Sequence, residues 1–162
     1  MRDWRLLTLV LLACLTGQDA YGDGQGTALV EMEGHSHVLD PLNWRESTTT
    51  FNGDDIRFYL TADGQPVSIN FNLSNTGILS QGSAVYTLPD FNQSGSGTIE
   101  LTFFNLARES GRMQRRIIFN QGEIVIRTLT TSRLSVEFKG TGNPLMRHDE
   151  RIPIEGSIEI SF

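Results

Sequence analysis

The chain has one cysteine, Cys14, and no second one to pair with it. An internal disulfide is excluded, so stability must come from a packed core. Basic residues are also few: 13 Lys and Arg stand against 19 Asp and Glu, for a net charge of −6. That balance argues against nucleic acid as a partner, because phosphate recognition needs a basic face. It argues equally against adhesion to anionic membranes by charge alone. Alanine is scarce after Ala28, no segment keeps a 3.6-residue apolar period, and there is no heptad, internal repeat or low-complexity tract. Helical bundles and coiled coils are thereby set aside. The chain contains no Gly-x-Ser-x-Gly and no EF-hand spacing. Gly95-Ser96-Gly97 reads as a Gly/Ser turn, and the carboxylate pairs Asp54-Asp55 and Asp149-Glu150 read as solvated turn residues. Oxygen ligands for calcium at Asp63, Asp90 or Asn92 have the same turn explanation. Nothing here points to an enzyme, although a small hydrolase stays an alternative.

What the chain does have begins at its N-terminus. Met1-Arg2-Asp3-Trp4-Arg5 is net positive, and Leu6–Ala13 is apolar apart from Thr8. Eight residues at 1.5 Å each reach about 12 Å, well short of the ~30 Å hydrocarbon core, so this is a leader and not a membrane span. The run closes on Leu11-Leu12-Ala13-Cys14, which resembles a bacterial lipobox, the site where a signal peptide is cut and the new N-terminal cysteine is acylated. Acylation would also cap a lone thiol in an oxidising compartment. The alternative is a longer, ordinary signal peptide, but Gln18-Asp19-Ala20 is a poor small-residue cleavage site. The expected organisation is a signal peptide over residues 1–13, a Gly-rich linker over 14–26 carrying lipidated Cys14, and a single domain over 27–162. Removing the leader takes away a net +1 and leaves 149 residues at −7, enough for one domain with a sizeable core. Leu15, not Asp, follows the cysteine, which by resemblance to Gram-negative lipoproteins permits passage to the outer membrane.

The body alternates apolar and polar residues with period two. Val67, Ile69, Phe71 and Leu73 face one way, and Ser68, Asn70, Asn72 and Ser74 the other. Ile56, Phe58 and Leu60 precede them across Ala62-Asp63-Gly64-Gln65-Pro66, whose Asp-Gly predicts a hairpin. Leu134, Val136 and Phe138 form a third run, preceded by Ile124 and Ile126 across a Thr130-Thr131-Ser132 turn. A fourth run is Ile152, Ile154, Ile158 and Ile160, with Gly156 as a candidate bulge and Pro153 marking a strand start or edge. Further strands are expected at Thr27–Leu39, Trp44–Phe51, Ser83–Leu88, Thr98–Leu106 and Arg115–Asn120. About nine short strands at this spacing predict an all-β fold, a single antiparallel β-sandwich first and a β-barrel second.

Taken together, the leader and the strand runs Gly122–Ile126, Leu134–Gly140 and Ile154–Ile160 resemble a loose group of small bacterial envelope lipoproteins that pair a lipobox with a β-sandwich. The likeness spans about residues 80–162, rests on pattern, and implies location and fold without an activity. It makes the expected role that of a non-catalytic exported protein, binding or structural, held at the envelope by lipid and facing a protein or glycan partner.

Three groups of side chains are candidates for chemistry. His35 and His37 lie two residues apart, so their imidazoles would project side by side about 7 Å apart along a strand. With Glu31 or Glu33 adding oxygen and His148-Asp149-Glu150 folding nearby, they could ligate zinc or copper. The competing reading is a solvated polar face, broken by a bulge at Gly34. Arg108, Arg112, Arg115 and Arg116 are the one basic concentration and would dock a carboxylate, phosphate or anionic glycan; a charged loop that blocks edge pairing is the plainer account. Trp44 leads a set of aromatics, with Tyr59, Tyr86, Phe91 and Phe104, that would stack on a glycan; in a sandwich such residues more often belong to the core.

Overall fold

The computed structural model describes residues 24–89, 97–105, 115–147 and 149–162. Strands make up 67% of these residues and helix 3%, so the all-β expectation holds. The order is β1 (Gln25–Met32), β2 (His35–Leu39), β3 (Thr48–Asn52), β4 (Asp55–Leu60), β5 (Val67–Ser74), a single turn of helix α1 (Ile78–Gln81), β6 (Ala84–Leu88), β7 (Thr98–Asn105), β8 (Arg115–Leu129), β9 (Arg133–Pro144) and β10 (Ile152–Ser161).

All ten strands belong to one antiparallel sheet. Nine follow the order β2-β1-β10-β9-β8-β7-β5-β4-β3, and β6 lies off that path on β8. The sheet curls into a half-barrel. The two layers expected of a sandwich are therefore two stretches of one sheet facing each other. Phe58 of β4 stacks on Phe162, the residue after β10, with centroids 6.0 Å apart. Phe103 of β7 meets Phe138 of β9 at 5.6 Å. Alternating residues of the strands supply the concave face: Val30, Ile69, Phe71, Leu101, Val136 and Ile158 are all fully buried in one core cluster. Burying a side chain of this size contributes on the order of 1.5–3 kcal/mol, and that burial replaces the missing disulfide.

The curl is made by β8 and β9. The chain reads as two strands, Arg115–Asn120 and one from Ile124, but it forms a single strand of 15 residues. Its start pairs with β7, its second half with β6, and β9 runs along the other side of both. Register shifts at Phe119/Gln121 and Ile126/Thr128 bend it, as bulges do. Between them Gly122 pairs with Gly140. A Cβ on Gly140 would stand 2.0 Å from the Gln121 carbonyl oxygen and 2.8 Å from the Phe119 ring, so the two backbones approach at the corner only because no side chain intervenes. Gly156, expected as a bulge, instead pairs regularly with Phe138 and Val30. Its missing side chain makes room for the Phe138 ring, 2.7 Å from where a Cβ would lie. Pro153 sits in β10 just beyond its last pairing with β1, at Ile154, where no ladder partner is needed from its nitrogen on that side.

Candidate functional site

The histidine segment differs from its expected form. Thr27–Leu39 is not one strand. Glu33 and Gly34 take φ values of +54° and +75° and form a two-residue turn, the conformation that suits a tight hairpin. Beyond it, β2 folds back on β1 with Met32 opposite His35 and Val30 opposite His37. Opposed residues share a face, so both imidazoles lie on the concave side at its rim, while Glu31 pairs with Ser36 on the convex side. His35 is exposed and His37 half-buried, with ring centroids 6.4 Å apart. Burial first, then the nearby His35, hold the His37 imidazole below its ordinary pKa, and Glu33 opposes them.

Glu33 does not face the imidazoles as a free ligand. Its carboxylate accepts a hydrogen bond from the Arg115 guanidinium, which also donates to Glu150. One cation at the start of β8 thus joins the β1–β2 turn to the loop between β9 and β10. Arg147 adds a second cation 3.6 Å from Glu150. Burial works against the Arg115 charge, but the hydrogen bonds to Glu150 and Glu33 outweigh it and raise its pKa. The loop carrying His148 therefore does come to the β1–β2 turn, through Glu150; His148 itself lies outside the described residues. Among the described residues no group of three or more His, Cys, Asp or Glu side chains is disposed to hold a metal ion.

The arginine concentration is divided. Arg115 shares the concave side with Ile117 and Phe119, whereas Arg116 points outward, 2.6 Å from Glu100 and above the Phe104 ring at 5.8 Å. Adjacent residues in a strand face opposite ways, so the two cannot serve one anion. Arg108 and Arg112 lie outside the described residues, as does Cys14. Sequence reasoning did not identify Glu100 as the partner of Arg116 or Glu150 as the partner of Arg115; both depend on pairing between distant segments.

Trp44 sits in the loop before β3, which starts only at Thr48. Its ring packs edge-on against Phe162 at 6.5 Å and lies over Gly24 and Gly26. It is partly buried against the core. Asn43 beside it donates to Asp63 at 2.6 Å, and the backbone N–H of Leu42 donates to Gly26. A shallow, polar depression of about 730 Å³ lies here, bordered by Asp40, Asn43, Arg45 and Glu46. The other aromatics do not join Trp44 as a platform: Tyr59 bonds Ser68, Tyr86 packs on the core and Phe104 lies beneath Arg116; Phe91 is outside the described residues.

On the convex side, two broad depressions of about 670 and 500 Å³ run over β1, β10, β9 and β8. Glu31, Glu123, Glu137 and Glu155 stand around Lys139. Lys139 pairs with Glu155 at 2.6 Å, and Arg127 grips Glu137 through two bonds of 2.6 and 2.7 Å. These pairs neutralise two of the four carboxylates locally.

Comparison with known proteins returns no matching family model, no similar curated protein and no similar solved structure. No helix among the described residues is long and apolar enough to cross a membrane. The chain is a curled single-sheet β-domain, defined by its own geometry.

Proposed function

We propose that this protein is a non-catalytic lipoprotein of the bacterial envelope, a binding or structural accessory domain held at the membrane, the outer membrane first, by acylated Cys14. The observation that carries this reading is the apolar leader that closes on Leu11-Leu12-Ala13-Cys14; the direction of β1 then sets how the domain would be oriented. Ten positions separate Cys14 from Gly24, a reach of at most about 35 Å. β1 starts at Gln25, opposite Ser161 and next to Trp44, and ends at the Glu33 turn. A lipid on Cys14 would therefore hold the Trp44–Phe162 end toward the bilayer. The rim built from Glu33, Arg115, Arg147 and Glu150 would face away, available to a protein or glycan partner. Such a rim, with charges of both signs, suits oriented polar contacts more than an apolar ligand.

The test is radiolabelled palmitate incorporation, with cell fractionation, of the full chain produced in a bacterium that processes lipoproteins. The expected result is a labelled, membrane-associated protein whose mature N-terminus is Cys14. Cys14→Ser should be unlabelled and leave the membrane fraction. An unlabelled wild-type chain, or one cut after Ala20, would overturn the anchor.

A further inference from the structure

We infer that the β2 edge is a zinc-dependent self-association site, in which His35 and His37 from two copies of this chain supply four imidazoles to one metal ion across an antiparallel β2–β2 pair. β2 stands last in the sheet, and among the described residues it pairs with β1 alone. The two-residue turn makes Met32 and His35 the hydrogen-bonded pair that closes the hairpin. Counting onward, His35, His37 and Leu39 direct their backbone groups to β1. Ser36 and Val38 direct theirs to the open edge.

A two-fold axis through Ser36 satisfies that edge. Ser36 then forms the hydrogen-bonded pair with its symmetry mate, and His35 stands opposite His37 of the second copy. Those flanking pairs are of the non-hydrogen-bonded kind, with Cα atoms about 4.5 Å apart and side chains closest. The two imidazoles of one chain share a face and lie 6.4 Å apart, so the four would meet around one point.

Chemistry favours completing the set in this way. Structural zinc takes four ligands in a tetrahedron, and imidazole is among its preferred donors. One chain offers two, and Glu33 is already committed to Arg115. Nothing on the strand opposes pairing: His-Ser-His-Val-Leu has no lysine, proline or bulge of the sort that guards an edge, and Val38 is 49% exposed. A five-residue edge is short, which is why the pairing would depend on the metal.

Untagged full-length protein, stripped of metal and then titrated with zinc in sedimentation velocity, tests this. The expected result is a zinc-dependent monomer-to-dimer shift that saturates at one zinc per two chains. H35A with H37A should stay monomeric at every zinc concentration. Ser36→Pro, which keeps both imidazoles and removes an N–H that faces away from β1, should also prevent dimerisation while leaving the thermal melt near that of wild type. A monomer under saturating zinc, a dimer that survives loss of both histidines, or a dimer indifferent to Ser36→Pro would each overturn the inference.

Discussion

The two ends of the half-barrel are closed by different physics. At the Trp44 end the closure is aromatic. Phe162 stacks on Phe58, meets Phe51 edge-on at 5.7 Å, and receives Trp44. At the Glu33 end the closure is ionic: Arg115 spans Glu33 and Glu150. The first joins β3 and β4 to the residue after β10 by packing rings over the buried Phe58. The second joins β8 to two loops by charges that are about one-third exposed. Phe162 is itself 36% exposed, but it packs on Phe58, which is fully buried. Aromatic contact over a buried ring is worth more than a half-wet ion pair, because solvent screening and side-chain entropy offset most of the Coulomb gain. The aromatic end should carry stability, leaving the ionic end free to vary with its environment.

The largest effect should come from Phe58, fully buried and in contact with Phe51, Phe71 and Phe162. Phe58→Ala is expected to cost about 3–5 kcal/mol in urea unfolding, with no dependence on salt. A loss under about 1 kcal/mol would break the comparison at its stronger side.

Next comes the corner. Gly140→Ala puts a methyl group against the Gln121 carbonyl, and backbone cannot yield as a flexible side chain would. A destabilisation of about 3 kcal/mol is expected, visible as a lower urea midpoint at unchanged slope. This variant asks whether the Glu33 end is held by the bend of β8 and β9 or by the charges around Arg115. Arg115→Ala then answers from the other side. It should cost about 1 kcal/mol at low salt and less at high salt, since the ion pairs it removes are partly solvated. A salt-independent loss comparable to that of Phe58→Ala would show the two ends to be alike.

The same contrast explains what the sequence made legible. Strand faces were readable because burial follows parity: Val67, Ile69, Phe71 and Leu73 announced their side, and the structure buries all four. The Asp63-Gly64 hairpin was readable because its turn chemistry is local. The Glu33-Gly34 turn was not, because glutamate rarely adopts positive φ and only the pairing of β2 with β1 enforces it there. Without that turn, Glu31 reads as an oxygen ligand beside the imidazoles, although it lies across the sheet from them, opposite Ser36. The unbroken β8 was hidden for a related reason: two bulges shift its period, so a single bent strand resembles two straight ones. At the site, His35 and His37 could be paired by spacing, but the capture of Glu33 by Arg115 joins residues 82 positions apart and leaves no trace in local pattern.

The smallest effect belongs to the wall between the two ends. Arg127 holds Glu137 by two hydrogen bonds, and these, ahead of the simple charge attraction, lower the carboxyl pKa. Lys139 does the same to Glu155 through its hydrogen bond. A carboxyl whose folded pKa is depressed adds stability above its unfolded value, and that stability is lost as pH falls through the folded one. The window therefore lies below about 4.5, well away from the histidines. Both pairs are exposed, so solvent screens them and the melting temperature of Arg127→Gln at neutral pH should stay close to that of wild type. The carboxyl titration is the sensitive readout: NMR should follow Glu137 to a midpoint below the ordinary glutamate value, and Arg127→Gln should return it toward that value. A Glu137 midpoint unmoved by the substitution would mean the pair is not formed in solution. Arg127 and Glu137 would then be independent charges, leaving the pair of Lys139 with Glu155 as the neighbouring tie on the outer wall.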